Sequence, residues 1–291
     1  MEHSAKGNRS AGTDVVPGFQ LGSERVADSP LIEGDILMGA LRESTRIHLL
    51  PAKEVPVVIV IRRKPSKLFH ILKWNTGEDT LESGSWFEGT LVPFKSDVSF
   101  DGKWMVYLAM GASGETWSGI CSPPWLKTSS DWSYCGFTYG GGYWARRDRL
   151  LVSEAPFRDK TGDDQYPFTV EELPEERTGF GAVLYRRMER DGWERVAKET
   201  GNSDWTYTPT SKHPTLRAID TGHFEHSQRF RFSVDEYPSL LGNDVTWATW
   251  DADGNLVFAK RGALLKYALE DIGSDRPTFT KDLENLRKEN A

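Results

Sequence analysis

The sequence predicts an all-β fold of propeller type, with about five small blades of antiparallel strands. Three observations predict the all-β class, and a resemblance described below narrows it to the propeller type, complete or irregular. Short β-branched or aromatic runs recur along the chain, Asp-Gly turns separate several of them, and no long helical period comes between.

Composition sets the bounds. A chain of 291 residues with 27% charged, 38% apolar and 12% aromatic residues is globular and long enough to bury its own core. A formal net charge of −7 argues against a nucleic-acid coat, which needs a basic face for phosphates. The short basic runs Arg62-Arg63-Lys64, Arg146-Arg147-Asp148-Arg149 and Arg186-Arg187 read as solvated faces. No apolar stretch follows Met1, and the longest apolar run, Val55 to Ile61, falls far short of the roughly 20 residues that span a bilayer. The expectation is a cytoplasmic protein without a membrane segment. Cys121 and Cys135 form no C-x-x-C pair and have no neighbouring histidine, so they read as two thiols rather than metal ligands.

The elements follow in order. Residues 1–30, rich in Gly, Ser and charge, read as a disordered N-terminal tail. From Leu31 to Leu50, apolar positions interrupted by Gly34 and Gly39 suggest at most a short, poor helix. Val57 to Ile61 is β-branched throughout, as expected of a strand buried on both faces. Lys67 to Trp74, bounded by Pro65-Ser66 and Asn75-Thr76-Gly77, is its hairpin partner.

Three later segments read as Asp-Gly hairpins: Ser96 to Leu108 about Asp101-Gly102, Val183 to Trp193 about Asp191-Gly192, and Val245 to Phe258 about Asp253-Gly254. Ala263 to Tyr267 extends the third into a meander. Turns every roughly 8–12 residues favour a sandwich, barrel or propeller over a parallel α/β fold. The propeller-like domain is placed at residues 31–275. Residues 276–291 read as a C-terminal tail or a short surface helix capped by Thr280.

The segment Asp97-Val98-Ser99-Phe100-Asp101-Gly102-Lys103-Trp104-Met105-Val106-Tyr107 resembles the repeat of TolB-like β-propellers, written Leu-Ser-Pro-Asp-Gly before a strand, with Phe100 in place of the usual Pro. Trp250-Asp251-Ala252-Asp253-Gly254-Asn255-Leu256-Val257-Phe258 looks like a weaker second copy, which places the chain in the wider TolB-like and WD40-like superfamily by resemblance. Gly84-Ser85-Trp86-Phe87-Glu88-Gly89 and Tyr139-Gly140-Gly141-Gly142-Tyr143 are similar to a group of uncharacterised bacterial proteins, which implies no function.

Chemical motifs fail on spacing. His223 and His226 stand three apart with Glu225 directly before the second, unlike the H-E-x-x-H helix motif of metalloproteases. Asp251-Ala252-Asp253-Gly254 places its glycine at the fourth position, where a calcium loop needs it at the sixth. Gly140-Gly141-Gly142 lacks the Lys-Ser/Thr of a phosphate loop, and backbone crowding explains it better. No cofactor and no metal is expected.

Aromatic crowding is the suggestive feature. Of the 11 tryptophans, Trp86, Trp117, Trp125, Trp132 and Trp144 fall among Gly, Ser and Pro together with Tyr139 and Tyr143. Loop aromatics give flat, rigid surface at small entropic loss, which suits ligands and partner hot spots, although blade packing uses the same residues. The expected binding residues are Trp86, Trp117, Trp125, Tyr139, Tyr143, Trp144 and Arg146. The leading expectation is a non-enzymatic module that binds an unidentified protein or small ligand. The alternative is a carbohydrate-active or other hydrolytic propeller, with Asp97, Asp101 or Glu88 near a central aromatic pocket.

Overall fold

The computed structural model describes residues 45–134, 140–153, 166–174, 181–196, 204–224, 227–274 and 276–288. Five small sheets follow one another along the chain and are arranged as a five-bladed β-propeller.

The first sheet is an antiparallel meander of β1 (Arg46–Pro51), β2 (Val57–Arg63), β3 (Leu68–Asn75) and β4 (Thr80–Glu88). The second has β7 (Met105–Met110), β8 (Thr116–Cys121) and β9 (Thr128–Tyr134), with the short β5 (Thr90–Leu91) and β6 (Asp97–Val98) both pairing β7. The third is β10 (Gly142–Arg146), β11 (Arg149–Val152) and β12 (Thr169–Glu172), the last parallel to β11. Helix α1 (Ala182–Asp191) precedes the fourth, which runs β13 (Glu194–Val196), β14 (Asp204–Tyr207), β15 (Leu216–Phe224) and β16 (Ser227–Val234). After the single turn α2 (Pro238–Leu241), the fifth is β17 (Val245–Trp250), β18 (Leu256–Lys260), β19 (Ala263–Tyr267) and β20 (Phe279–Asp282).

Alternation along β2 explains why a β-branched run suits this architecture. Val58 and Val60 enter an apolar cluster shared with Trp247, Phe258 and Leu264 of the fifth sheet. Ile59 and Ile61, on the opposite face, enter one shared with Val98, Met105 and Cys121 of the second. A strand packed on both sides needs apolar residues at every position, and Val and Ile also hold the extended backbone. Burial pushes the Cys121 thiol up to about 12, so it is an inert apolar filler at neutral pH.

The Asp-Gly turns at Asp101-Gly102 and Asp253-Gly254 both join the inner strand of a sheet to its second strand. Asp101 accepts bonds from the Ser99 hydroxyl at 2.6 Å and the Lys103 amide at 3.2 Å. Asp251 accepts from the amides of Asp253 at 3.0 Å and Asn255 at 2.8 Å. Gly254, at φ 81°, supplies the left-handed residue that such a turn demands.

Four expectations need correction. Val183 to Trp193 is not a hairpin but α1, whose buried Val183, Leu184, Arg187 and Met188 line one helical stripe. Gly192, at φ 101°, closes it with its amide on the carbonyls of Met188 and Glu189. The end of the Leu31 to Leu50 segment is strand β1 rather than helix, and residues 31–44 lie outside the described residues. The C-terminal stretch holds no helix capped by Thr280: β20 pairs with β19, and Leu283 behind it is buried. Its Phe279 and Lys281 face the first sheet, so the alternation that looked like spaced surface residues is that of an outer strand. Arg62 and Arg187 are not solvated; both are buried.

The ring closes without exchange of strands between its ends. β1 packs against β17, and the Thr246 hydroxyl donates to the Ile47 carbonyl at 2.8 Å. Arg62 reaches from β2 to the segment after β20, donating to the carbonyls of Leu283 at 2.7 Å, Glu284 at 3.1 Å and Leu286 at 3.0 Å. Lys266 donates to the Thr76 carbonyl at 2.7 Å and pairs with Asp79. These contacts join the first and fifth sheets.

Candidate functional site

Propellers bind ligands at the axis or on blade rims, and the two regions differ sharply here. At the axis, β1, β6, β10, β16 and β17 are the inner strands: β1 packs on β17 and β6, β10 on β6, and β16 on β17. The fourth sheet therefore runs from its rim inward, opposite to the others. Helix α1 packs against β10, the turn at Pro93–Lys95 and β13, and carries two arginines across the axis.

Arg187 donates to the carbonyls of Pro93 and Ser96, contacts His48 Nε2 at 3.1 Å, and lies 5.9 Å from the Trp247 ring centroid. Arg190 forks onto Asp97 and donates to the Trp144 carbonyl at 2.9 Å, while Asp97 accepts the Trp144 amide at 2.9 Å. The Arg190 and Asp97 side chains are only 7% and 1% exposed. Burial opposes the charge on Arg190, yet Asp191 and Asp97 outweigh it and raise its pKa. The axis is thus occupied by paired charges and helix, and Asp97 is committed to structure.

The three carboxylates expected near a central aromatic pocket do not converge. Asp97 is buried at the axis, Asp101 holds a turn, and Glu88 lies at the outer end of β4 beside Lys288.

At the rims, β4 determines which aromatics are presented. His70 pairs with Trp86 and Leu72 with Ser83, so β4 carries one extra residue at this point, a bulge. Without it Trp86 and Ser83 would point to opposite faces; with it both point toward the fifth sheet. Trp86 stacks on the buried His70, centroids 4.0 Å apart and planes 5° from parallel. Phe87 turns the other way and meets Trp117 edge-on at 5.9 Å.

Ser83 Oγ lies 2.9 Å from His70 Nε2, a spacing seen in nucleophile–base pairs. The electrostatics oppose that chemistry. Burial and then the Arg62 charge lower the His70 pKa to about 4, whereas a catalytic base needs a partner that stabilises its protonated form.

Trp125 is 53% exposed. Its loop is tied to the first sheet: the Ser85 amide donates to the Pro124 carbonyl at 3.1 Å, and the Leu126 amide to the Ser85 hydroxyl at 2.9 Å. Gly84 permits the approach, since a Cβ there would overlap the Pro124 carbonyl oxygen.

The expected binding residues therefore separate. Trp125, Trp117 and Trp86 lie on the rims of the first two sheets, the last two half-buried and on opposite faces of the first. Trp144 is 0% exposed, in a cluster with Val106, Ile120 and Leu150 between the second and third sheets. Tyr143 is buried against Leu151 and Val183. Both are corrected from surface to core, because β10 is an inner strand with the second sheet on one side and helix α1 on the other. Arg146 is exposed at the far end of β10, and Tyr139 lies outside the described residues, as do Glu225 and His226. Gly141 and Gly142 are crowded against the backbone of Lys95 and Leu151. Sequence reasoning missed His48, Arg187 and Arg190 at the axis, and only the stripe of α1 hinted at them.

No protein-family model matches the chain, and no curated protein matches it. Among solved structures it is similar to the uncharacterized protein lmo1340 from Listeria monocytogenes EGD-e, at 10% identity and a TM-score of 0.31, over 82% of this chain and 84% of that one. The fold assignment rests on the five sheets themselves. Among the described residues no helix is long and apolar enough to cross a membrane.

Two histidines packed inside the ring, His48 half-buried and His70 buried, give a pH prediction. His48 is held well below the usual 6.5 by burial and by Arg187, and His70 falls to about 4. Below pH 6.5 the unfolded chain takes up protons that the folded chain refuses, so stability is lost as pH falls from 6.5 toward 4. For His70 alone this amounts to about 2 kcal/mol between pH 7.5 and pH 5. Asp97, raised by burial against the pull of Arg190 and Arg187, has the opposite sign. Urea midpoints at the two pH values for wild type and His70→Gln separate the contributions: the variant's pH slope is expected to be shallower, and an equal slope refutes the assignment.

Proposed function

We infer that this chain is a non-enzymatic binding module that engages its partner through the rim loop carrying Trp125. The observation that supports this reading most is the contrast between that loop and the axis. At the axis, Arg190 and Asp97 are buried and spent on each other, and Arg187 is spent on the carbonyls of Pro93 and Ser96. At the rim, a large aromatic stands exposed on backbone bonded to the neighbouring blade, so little entropy is lost when it is covered.

The hydrolytic alternative has less support, since Asp97, Asp101 and Glu88 are dispersed and the Ser83–His70 pair faces Arg62. Kinship with TolB-like and WD40-like propellers belongs to the same reading, supported by Asp-Gly turns at equivalent places in the second and fifth sheets. So does a cytoplasmic setting, with which the buried thiol of Cys121 agrees.

The test is quantitative affinity capture with wild type and Trp125→Ala, both checked for equal stability. A partner held by wild type and depleted at least about tenfold with the variant supports the rim, as loss of a hot-spot aromatic does elsewhere. Equal recovery removes Trp125 from the interface.

A further inference from the structure

The seam between the first and fifth sheets holds a groove that no other contact explains. Its volume is about 280 Å³, and it is lined by Leu72, Leu81 and Ser83 on one side, Phe279, Lys281 and Leu283 on the other, and Leu286 and Asp79 at its ends. The alternation of both sheets builds it. Leu81, opposite Trp74 in β3, and Ser83, opposite Leu72, face the fifth sheet. Phe279 and Lys281, two apart on β20, face back, and Phe279 meets Trp74 at 5.1 Å. The lining is mostly hydrocarbon, with Leu286 among the exposed large apolar residues.

The charges are uneven. Asp79 is spent on Lys266, which is 10% exposed and also donates to the Thr76 carbonyl. Lys281 forms no ion pair with any described residue and is exposed. An apolar slot with one unspent cation at its wall complements an anion that carries a short apolar tail.

We propose that this groove binds a short-chain carboxylate, its hydrocarbon tail on the accessible side chains of Leu81, Phe279 and Leu286 and its carboxylate on Lys281. A half-open groove of about 280 Å³ suits a tail of several carbons rather than a long acyl chain. The site lies on the face of the first sheet opposite to the Phe87–Trp117 contact, so it stands independently of the Trp125 loop.

Isothermal titration of the full chain tests it, with octanoate and with octylamine, each below its micelle concentration. Saturable octanoate binding is expected, with octylamine bound at least about tenfold more weakly because it places a cation against Lys281. Lys281→Met is expected to weaken octanoate at least about tenfold, and Leu286→Ser to weaken it several-fold. Both residues are exposed, so urea midpoints near wild type verify the folds. Three results overturn the proposal: no saturable heat with octanoate, equal binding of the two amphiphiles, or unchanged affinity in Lys281→Met.

Discussion

Arg62→Leu is expected to lower the stability of the protein by about 3–5 kcal/mol, the largest effect among the contacts that close the ring. Arg62 is 1% exposed, and its guanidinium is shared among the carbonyls of Leu283, Glu284 and Leu286. Leucine fills part of the volume but donates nothing, leaving these carbonyls without their donor at about 1–3 kcal/mol for each that stays dry. The other links at this edge do not compensate. Lys64–Glu284 and Lys288–Glu88 are partly or largely exposed, and such pairs contribute at most about 1 kcal/mol each. The damage should begin at the C-terminal segment, since Arg62 is what holds it down. Limited trypsin digestion is expected to cut after Arg287 or Lys288 faster in the variant, and the urea midpoint to fall. A variant as stable as wild type, with unchanged cleavage, would show that the apolar seam alone closes the ring.

Arg190→Met is the second large effect, again about 3–5 kcal/mol, because it strands the Asp97 carboxylate at the axis. The reason is asymmetry. A buried pair contributes modestly when intact, whereas one ion left alone in the same place is strongly unfavourable. The double variant Asp97→Asn/Arg190→Met removes the stranded charge while Asn can still accept the Trp144 amide, so it is expected to recover about 2 kcal/mol of the loss. A double-mutant cycle by urea denaturation measures this directly. Strictly additive losses would mean that the ion pair is not what joins α1 to the second sheet.

These two arginines mark the border between what a sequence carries and what it conceals. Local patterns were legible where a residue's neighbours in sequence decide its conformation. The β-branched run at Val57 to Ile61, the hairpin to Trp74, the turns at Asp101-Gly102 and Asp253-Gly254, and the meander through Tyr267 are all present. Asp191-Gly192 misled because a hairpin turn and a helix C-cap demand the same residue, a glycine at positive φ. The apolar stripe of α1 was the competing signal, and the Asp-Gly pair masked it.

The candidate site was less legible than the fold. Trp125 and Trp144 sit in similar runs of aromatic and small residues, yet one is 53% exposed and the other 0%. Nothing local distinguishes them. Whether a strand lies at the rim or at the axis is decided by packing between sheets far apart in sequence, and the direction in which the fourth sheet is threaded belongs to the same level.

By itself, then, the sequence determined several hairpins, their turns and hence the all-β class, because hydrogen-bond register and glycine conformations are set within about ten residues. Only the tertiary structure decided that α1 carries Arg187 and Arg190 across the axis, that Arg62 clasps the last segment, and that Lys281 has no ion-pair partner among the described residues beside an apolar groove. Charged side chains obtain their partners across sheets, and the free energy that decides between burying and solvating them depends on which blade arrives opposite.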